Sequence, residues 1–123
     1  MVDSSQSLSL VARDGGLTIS KSSTGLPGWC QLSLTRHGVQ RVLGAERRDH
    51  IIKRLLLFLE DQRSELHWVL TLAEQHVSFY GRRVGATKEL SFQGADGKMI
   101  DMLVLTHAEE REWVQRLAAA QLS

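Results

Sequence analysis

The sequence predicts a single α+β domain: a mainly antiparallel β-sheet with one long amphipathic central helix and a C-terminal helix packed on it. Three observations carry this. Apolar residues recur at helical spacing between Ala45 and Gln62, short apolar–polar alternations on both sides are joined by brief connections, and the chain closes on a capped helical stripe.

Taken in order, Leu8 and Leu10 alternate with serines, Asp14-Gly15-Gly16 is a turn signal, and Leu17 and Ile19 alternate again, which predicts a hairpin. The segment Lys21–Gly28 is soft, and Leu26-Pro27-Gly28-Trp29 suits a type II turn, with proline presetting φ and glycine supplying a positive one. Cys30, Leu32 and Leu34 then alternate with Gln31, Ser33 and Thr35 as a half-buried strand. Short helical character is expected at Val39–Leu43. In the long helix that follows, Ile51, Ile52, Leu55, Leu56, Phe58 and Leu59 fall within an arc of about 160° at 100° per residue.

Leu66, Trp68, Leu70 and Leu72 share one phase of the next strand, and Val77 and Phe79 continue it beyond Glu74-Gln75. A two-residue loop there pairs Leu72 with Val77 and Leu70 with Phe79. For the last hairpin, a three-residue Ala95-Asp96-Gly97 loop with Gly97 left-handed sets Phe92 opposite Ile100, Leu90 opposite Met102 and Ser91 opposite a solvent-facing Asp101. Leu103 and Leu105 then fall on the other face, either under a helix or in a dimer seam. Thr106-His107-Ala108-Glu109 is a capping box, and the helix it opens carries Trp113, Val114, Leu117 and Ala118 on one stripe. The hairpin-short junctions predict one antiparallel sheet with helices on one face. The final strand and THAEEREWVQRLAA resemble the close of a pleckstrin-homology domain, which also follows a strand with an acidic, tryptophan-bearing helix. This covers about a quarter of the chain, and the long central helix departs from that fold's seven strands.

The 123 residues form one domain, 1–123, with residues 1–7 expected to be disordered and no internal sequence repeat. A net charge of +1 offers no global field for a polyanion, and one cysteine cannot form an internal disulfide, as fits a reducing cytosol. The run LSLVA is too short for a signal-peptide core, and no run approaches the roughly 20 apolar residues that cross a bilayer, so a cytoplasmic location without membrane contact is expected.

Chemistry is narrowed by subtraction. The stretch GRRVGATK (Gly81–Lys88) lacks the GK[ST] close of a phosphate-binding loop, and a strand rather than a helix follows it, so it reads as a strand connection with solvated arginines. Cys30 lies in phase with Leu32 and Leu34 and reads as an inert core thiol. His67 and His76 sit about six residues apart along their hairpin, roughly 20 Å, too far to share an ion. No HExxH, CxxC or Gly-x-Ser-x-Gly is present. No catalytic residue, metal or cofactor is therefore assigned.

Two surface features remain. Six basic residues (Arg36, Arg41, Arg47, Arg48, Lys53, Arg54) against Glu46 and Asp49 polarise the molecule. His50, Arg54, Leu57 and Asp61 form an i, i+4, i+7, i+11 stripe that puts an anchor on the polar side of the long helix. The leading expectation is a non-enzymatic cytosolic interaction module, an adaptor, inhibitor or regulatory subunit. It would bind another protein or a second copy of itself through His50, Arg54, Leu57 and Asp61. The alternative is a nucleic-acid-binding protein using the basic segment 36–54 and the loop 80–88, with Arg47, Arg48, Arg82 and Arg83 on phosphates and Tyr80 as a stacking group. A small enzyme acting through Cys30 or a histidine ranks third.

Overall fold

The computed structural model describes residues 7–21 and 27–121. Of the segment expected to be disordered, residues 1–6 lie outside the described part, as does Leu26 of the expected type II turn; Pro27 and Gly28 do form a turn, with Gly28 at φ 79°. The first hairpin forms as the alternation predicts. β1 (Leu8–Ala12) and β2 (Gly15–Lys21) pair antiparallel, Leu10 opposite Leu17 and Leu8 opposite Ile19, across the two-residue turn Arg13-Asp14.

β3 (Trp29–Arg36) turns Cys30, Leu32 and Leu34 inward, and β4 (Val39–Arg47) returns alongside it. The helical character expected at Val39–Leu43 is corrected here. His37 and Gly38 both take left-handed φ, 51° and 79°, as a two-residue primed hairpin turn requires. That turn sets Val39 opposite Arg36 and commits the segment to the sheet. A bulge at Leu32/Ser33 bends the pair near Gly44, where a Cβ would come within 2.5 Å of the Leu72 carbonyl oxygen.

The central helix is shorter than its periodicity suggests. α1 runs Arg48–Leu59, 12 residues, rather than Ala45–Gln62. At its start, Ala45 is held in sheet hydrogen bonding on both sides. It lies opposite Gln31 of β3, and it exchanges N–H···O bonds of 2.6 and 3.1 Å with Leu72. At its end, the Glu60 N–H bonds the Leu56 carbonyl and Asp61 swings to a left-handed φ of 60°. The predicted apolar arc is nevertheless the one that packs: Ile51, Ile52, Leu55, Leu56, Phe58 and Leu59 are all buried. Each contributes about 1.5–3 kcal/mol relative to an exposed side chain.

Beyond α1 come β5 (Glu65–Val69), β6 (Ser78–Val84), β7 (Thr87–Gln93), β8 (Met99–Leu105) and α2 (His107–Gln121). The strands form two four-stranded antiparallel sheets, β1-β2-β3-β4 and β5-β6-β7-β8, instead of the single sheet expected. Each is a meander followed by a helix, so the element order repeats although the sequence does not. One hydrophobic cluster joins both sheets and both helices. The helices pack on each other, α1 also reaching β4 and β5, and α2 reaching β1, β7 and β8.

Two registers differ from those expected. In β5–β6, Trp68 rather than Leu70 faces Phe79, their rings stacked at 4.3 Å. Leu72 has left this hairpin to pair with Ala45, which lengthens the loop and leaves its side chain exposed. The shift is two residues, so Leu66, Trp68 and Phe79 keep the inner face. In β7–β8 the predicted turn is present: Gly97 has φ 77° and Gln93 faces Met99. A bulge at Phe92/Gln93 then shifts the ladder by one residue, so Phe92 faces Asp101, Ser91 faces Met102 and Leu90 faces Leu103. That slip turns Leu103 and Leu105 fully inward, under the helical layer, and leaves Ile100 and Met102 half-buried. Asp101, expected in solvent, pairs with Arg36 at 3.0 Å and so ties β8 to β3.

The capping box forms in both directions. The Thr106 N–H donates to Glu109 Oε1 at 2.9 Å, and the Glu109 N–H donates to Thr106 Oγ1 at 3.3 Å. Thr106→Ala is expected to lower stability by about 1 kcal/mol, read as a lower urea midpoint at unchanged slope.

Candidate functional site

Lys53, Arg54 and Leu57 reach the surface because the apolar arc of α1 occupies only part of its circumference, and β5 runs beside them with alternate residues outward. Between the two elements lies a groove of about 510 Å³. His50, Lys53, Arg54 and Leu57 line it from α1, Arg63 from the connection, and Glu65, Leu66 and His67 from β5. Leu66 is buried and Leu57 half-buried, so an apolar strip runs beneath basic side chains. The Arg54 guanidinium lies 5.6 Å from the centre of the Trp68 ring, which fixes its stem against the sheet. His67 stacks on Tyr80 with ring centres 4.5 Å apart. Behind His50, the buried Glu46 carboxylate accepts hydrogen bonds from the Thr71 hydroxyl at 2.7 Å and the Arg47 N–H at 2.9 Å, and lies 3.9 Å from His50 Nδ1.

The predicted stripe is thus partly assembled. His50, Arg54 and Leu57 share the groove, but Asp61 lies past the end of α1 and belongs to a different cluster. There its carboxylate meets Arg83 at 2.8 Å and Lys88 at 3.0 Å, and the Arg83 hydrogen bond, then that of Lys88, holds it below the usual carboxylate range.

GRRVGATK is a tight hairpin. Gly85-Ala86 is its two-residue turn, with Gly85 at φ 62°, Val84 opposite Thr87, and the Thr87 hydroxyl donating to the Val84 carbonyl at 2.9 Å. Its arginines, expected to be simply solvated, carry acidic partners: Arg82 meets Glu89 at 3.4 Å, and Arg83 meets Asp61 and, at 3.7 Å, Glu110. Of the other nucleic-acid candidates, Tyr80 is engaged by His67, Arg47 is exposed at the end of β4, and Arg48 donates to the Ala120 carbonyl at 2.7 Å. With Arg36 on Asp101, the basic segment 36–54 divides among β3, β4 and α1.

Lys88 and Glu110 escaped the sequence reading. Lys88 is 1% exposed, and its ammonium lies 2.8 Å from the Phe58 carbonyl, 2.7 Å from that of Leu59, 2.8 Å from Glu110 Oε1 and 3.0 Å from Asp61. It therefore gives the Leu59 carbonyl a donor, adds a second to the Phe58 carbonyl that also accepts the Asp61 N–H at 3.2 Å, and ties this negative end of α1 to α2. A signal for both was present: Lys88 shares the strand phase of Leu90 and Phe92, and Glu110 shares the helical stripe of Trp113 and Leu117.

Cys30 is buried, and burial raises its thiol pKa, partly opposed by the nearby Arg48 charge. His76 bonds the Ser78 hydroxyl at 2.8 Å. Among the described residues no group of three or more His, Cys, Asp or Glu side chains is placed to hold a metal ion, and no helix is long and apolar enough to cross a membrane. No protein-family model matches the chain, and no curated protein or solved structure is significantly similar to it.

Proposed function

We propose that the chain is a non-enzymatic interaction module that docks a partner protein along the groove between α1 and β5. The observation that carries this is the convergence of His50, Arg54 and Leu57 with Lys53 and Arg63 over an apolar strip. Arginine is among the residue types enriched at interface hot spots, and Leu57 beside Arg54 gives a partner's apolar side chain a helix-face surface to seat on. The nucleic-acid reading draws less support, because Arg82 and Arg83 already meet carboxylates and Tyr80 is already stacked.

Affinity capture with quantitative mass spectrometry, run on the wild type and two variants, tests this. Leu57→Asp is expected to lose the captured partner by at least roughly tenfold, about 1.4 kcal/mol, with its circular dichroism melt preserved. Arg82→Ala with Arg83→Ala is expected to retain it. A gel shift with DNA or RNA that the arginine pair abolishes and Leu57→Asp leaves intact overturns the proposal in favour of nucleic acid.

A further inference from the structure

What sets the cations of the groove apart is that several without a carboxylate partner among the described residues meet at one place, whereas other cations are neutralised within the fold. Arg36, Arg82, Arg83, Lys88 and Arg116 each have a carboxylate within ion-pairing distance. Lys53, Arg54 and Arg63 have none among the described residues, yet they converge on one concavity together with His50 and His67. Glu65 is the single acid on its wall. Three like charges at a shared groove repel one another until an anion enters between them, so a carboxylate-bearing ligand gains attraction from each and relieves that repulsion.

The same surroundings disfavour a nucleic-acid strand. A backbone track needs a continuous basic stripe, whereas Glu65 interrupts this one and a net charge of +1 supplies no steering field. The volume of about 510 Å³ is that of a site for a few side chains. Leu57 and Leu66 beneath the cations call for an apolar group in the ligand, which a phosphodiester backbone does not present.

We infer that the groove receives a short acidic peptide segment of the partner, with one apolar side chain seated on Leu57 and Leu66 and flanking Asp or Glu carboxylates on Lys53, Arg54 and Arg63. This rests on the docking function proposed above and specifies the chemistry of its partner.

The test is selection of short random peptides displayed on phage against the wild-type chain, each enriched peptide being assayed afterwards on Leu57→Asp as well. Selected sequences are then synthesised and measured by fluorescence anisotropy. The expected result is enrichment of peptides carrying Asp or Glu on either side of a Leu, Ile, Phe or Trp. Their affinity should fall roughly tenfold or more with Arg63→Glu and again between low and high salt. Arg63 lies in the exposed connection after α1, so its charge reversal leaves the helix intact; Lys53→Glu, checked for an unchanged melt, gives an independent second loss. Enriched peptides that are neutral or basic, yet still fail on Leu57→Asp, overturn the acidic specificity and leave the docking function standing. Peptides that bind Leu57→Asp as well as wild type, or no enrichment at all, overturn both. A labelled single-stranded oligonucleotide whose binding Lys53→Glu abolishes overturns the peptide assignment in favour of nucleic acid.

Discussion

Lys88→Met will destabilise the fold by about 3–5 kcal/mol, the range found when one member of a buried ion pair is removed. The ammonium is enclosed by four acceptors: the Phe58 and Leu59 carbonyls, Glu110 and Asp61. Asp61 is largely exposed and rehydrates when the lysine is lost, but Glu110 is 5% exposed and cannot. Its second oxygen already lacks a partner among the described residues, and Arg83 at 3.7 Å compensates only in part. Methionine fills most of the space and neutralises nothing, so the loss reports the stranded carboxylate and the Leu59 carbonyl, the Phe58 carbonyl keeping the Asp61 N–H. Urea denaturation should show the drop as a lower midpoint. Adding Glu110→Leu should return most of the lost stability, because a buried pair replaced on both sides by apolar groups is close to neutral. If the double variant is as unstable as the summed single ones, the charge account is wrong and Lys88 matters through packing alone.

Trp113→Ala is the second large loss, also about 3–5 kcal/mol, as for other fully buried aromatics cut to alanine. Trp113 is 0% exposed, in a cluster to which both sheets and both helices contribute. Its indole N–H donates to the Val11 carbonyl at 2.9 Å and so secures α2 to β1 at the edge of the first sheet. The melting temperature should fall by roughly 10–20 °C for a chain of this size. Trp113→Phe keeps most of the ring volume and loses the hydrogen bond, so its deficit should be well under half as large. Equal losses for the two variants would mean that the hydrogen bond, rather than the cavity, dominates.

What the sequence determined by itself is the set of features decided within a few residues. Cys30, Leu32 and Leu34 alternate because a pleated strand turns every second side chain inward. Thr106 and Glu109 cap α2 because their side chains reach the first free N–H groups locally. The buried arc of α1 and the left-handed Gly97 were legible for the same reason. Of the groove, His50, Arg54 and Leu57 could be placed on one face from helical periodicity. Arg63 and His67 could not, since they arrive through the connection after α1 and the docking of β5.

Only the tertiary structure decided the rest. Leu72 pairs with Ala45 across the fold, and that bridge both shortens α1 at its start and lengthens the β5–β6 loop. The bulge beside Phe92 exchanges which face of β8 is inner, a one-residue choice in which burying Leu103 and Leu105 prevails over the regular ladder. Lys88 was passed over because alternation records which face a residue occupies but not what waits there. Its burial depends on the carbonyls at the end of α1 and on Glu110 of α2, partners distant in sequence. Desolvating an ammonium is unfavourable until those acceptors are assembled around it, and only the folded arrangement of the second sheet against both helices assembles them.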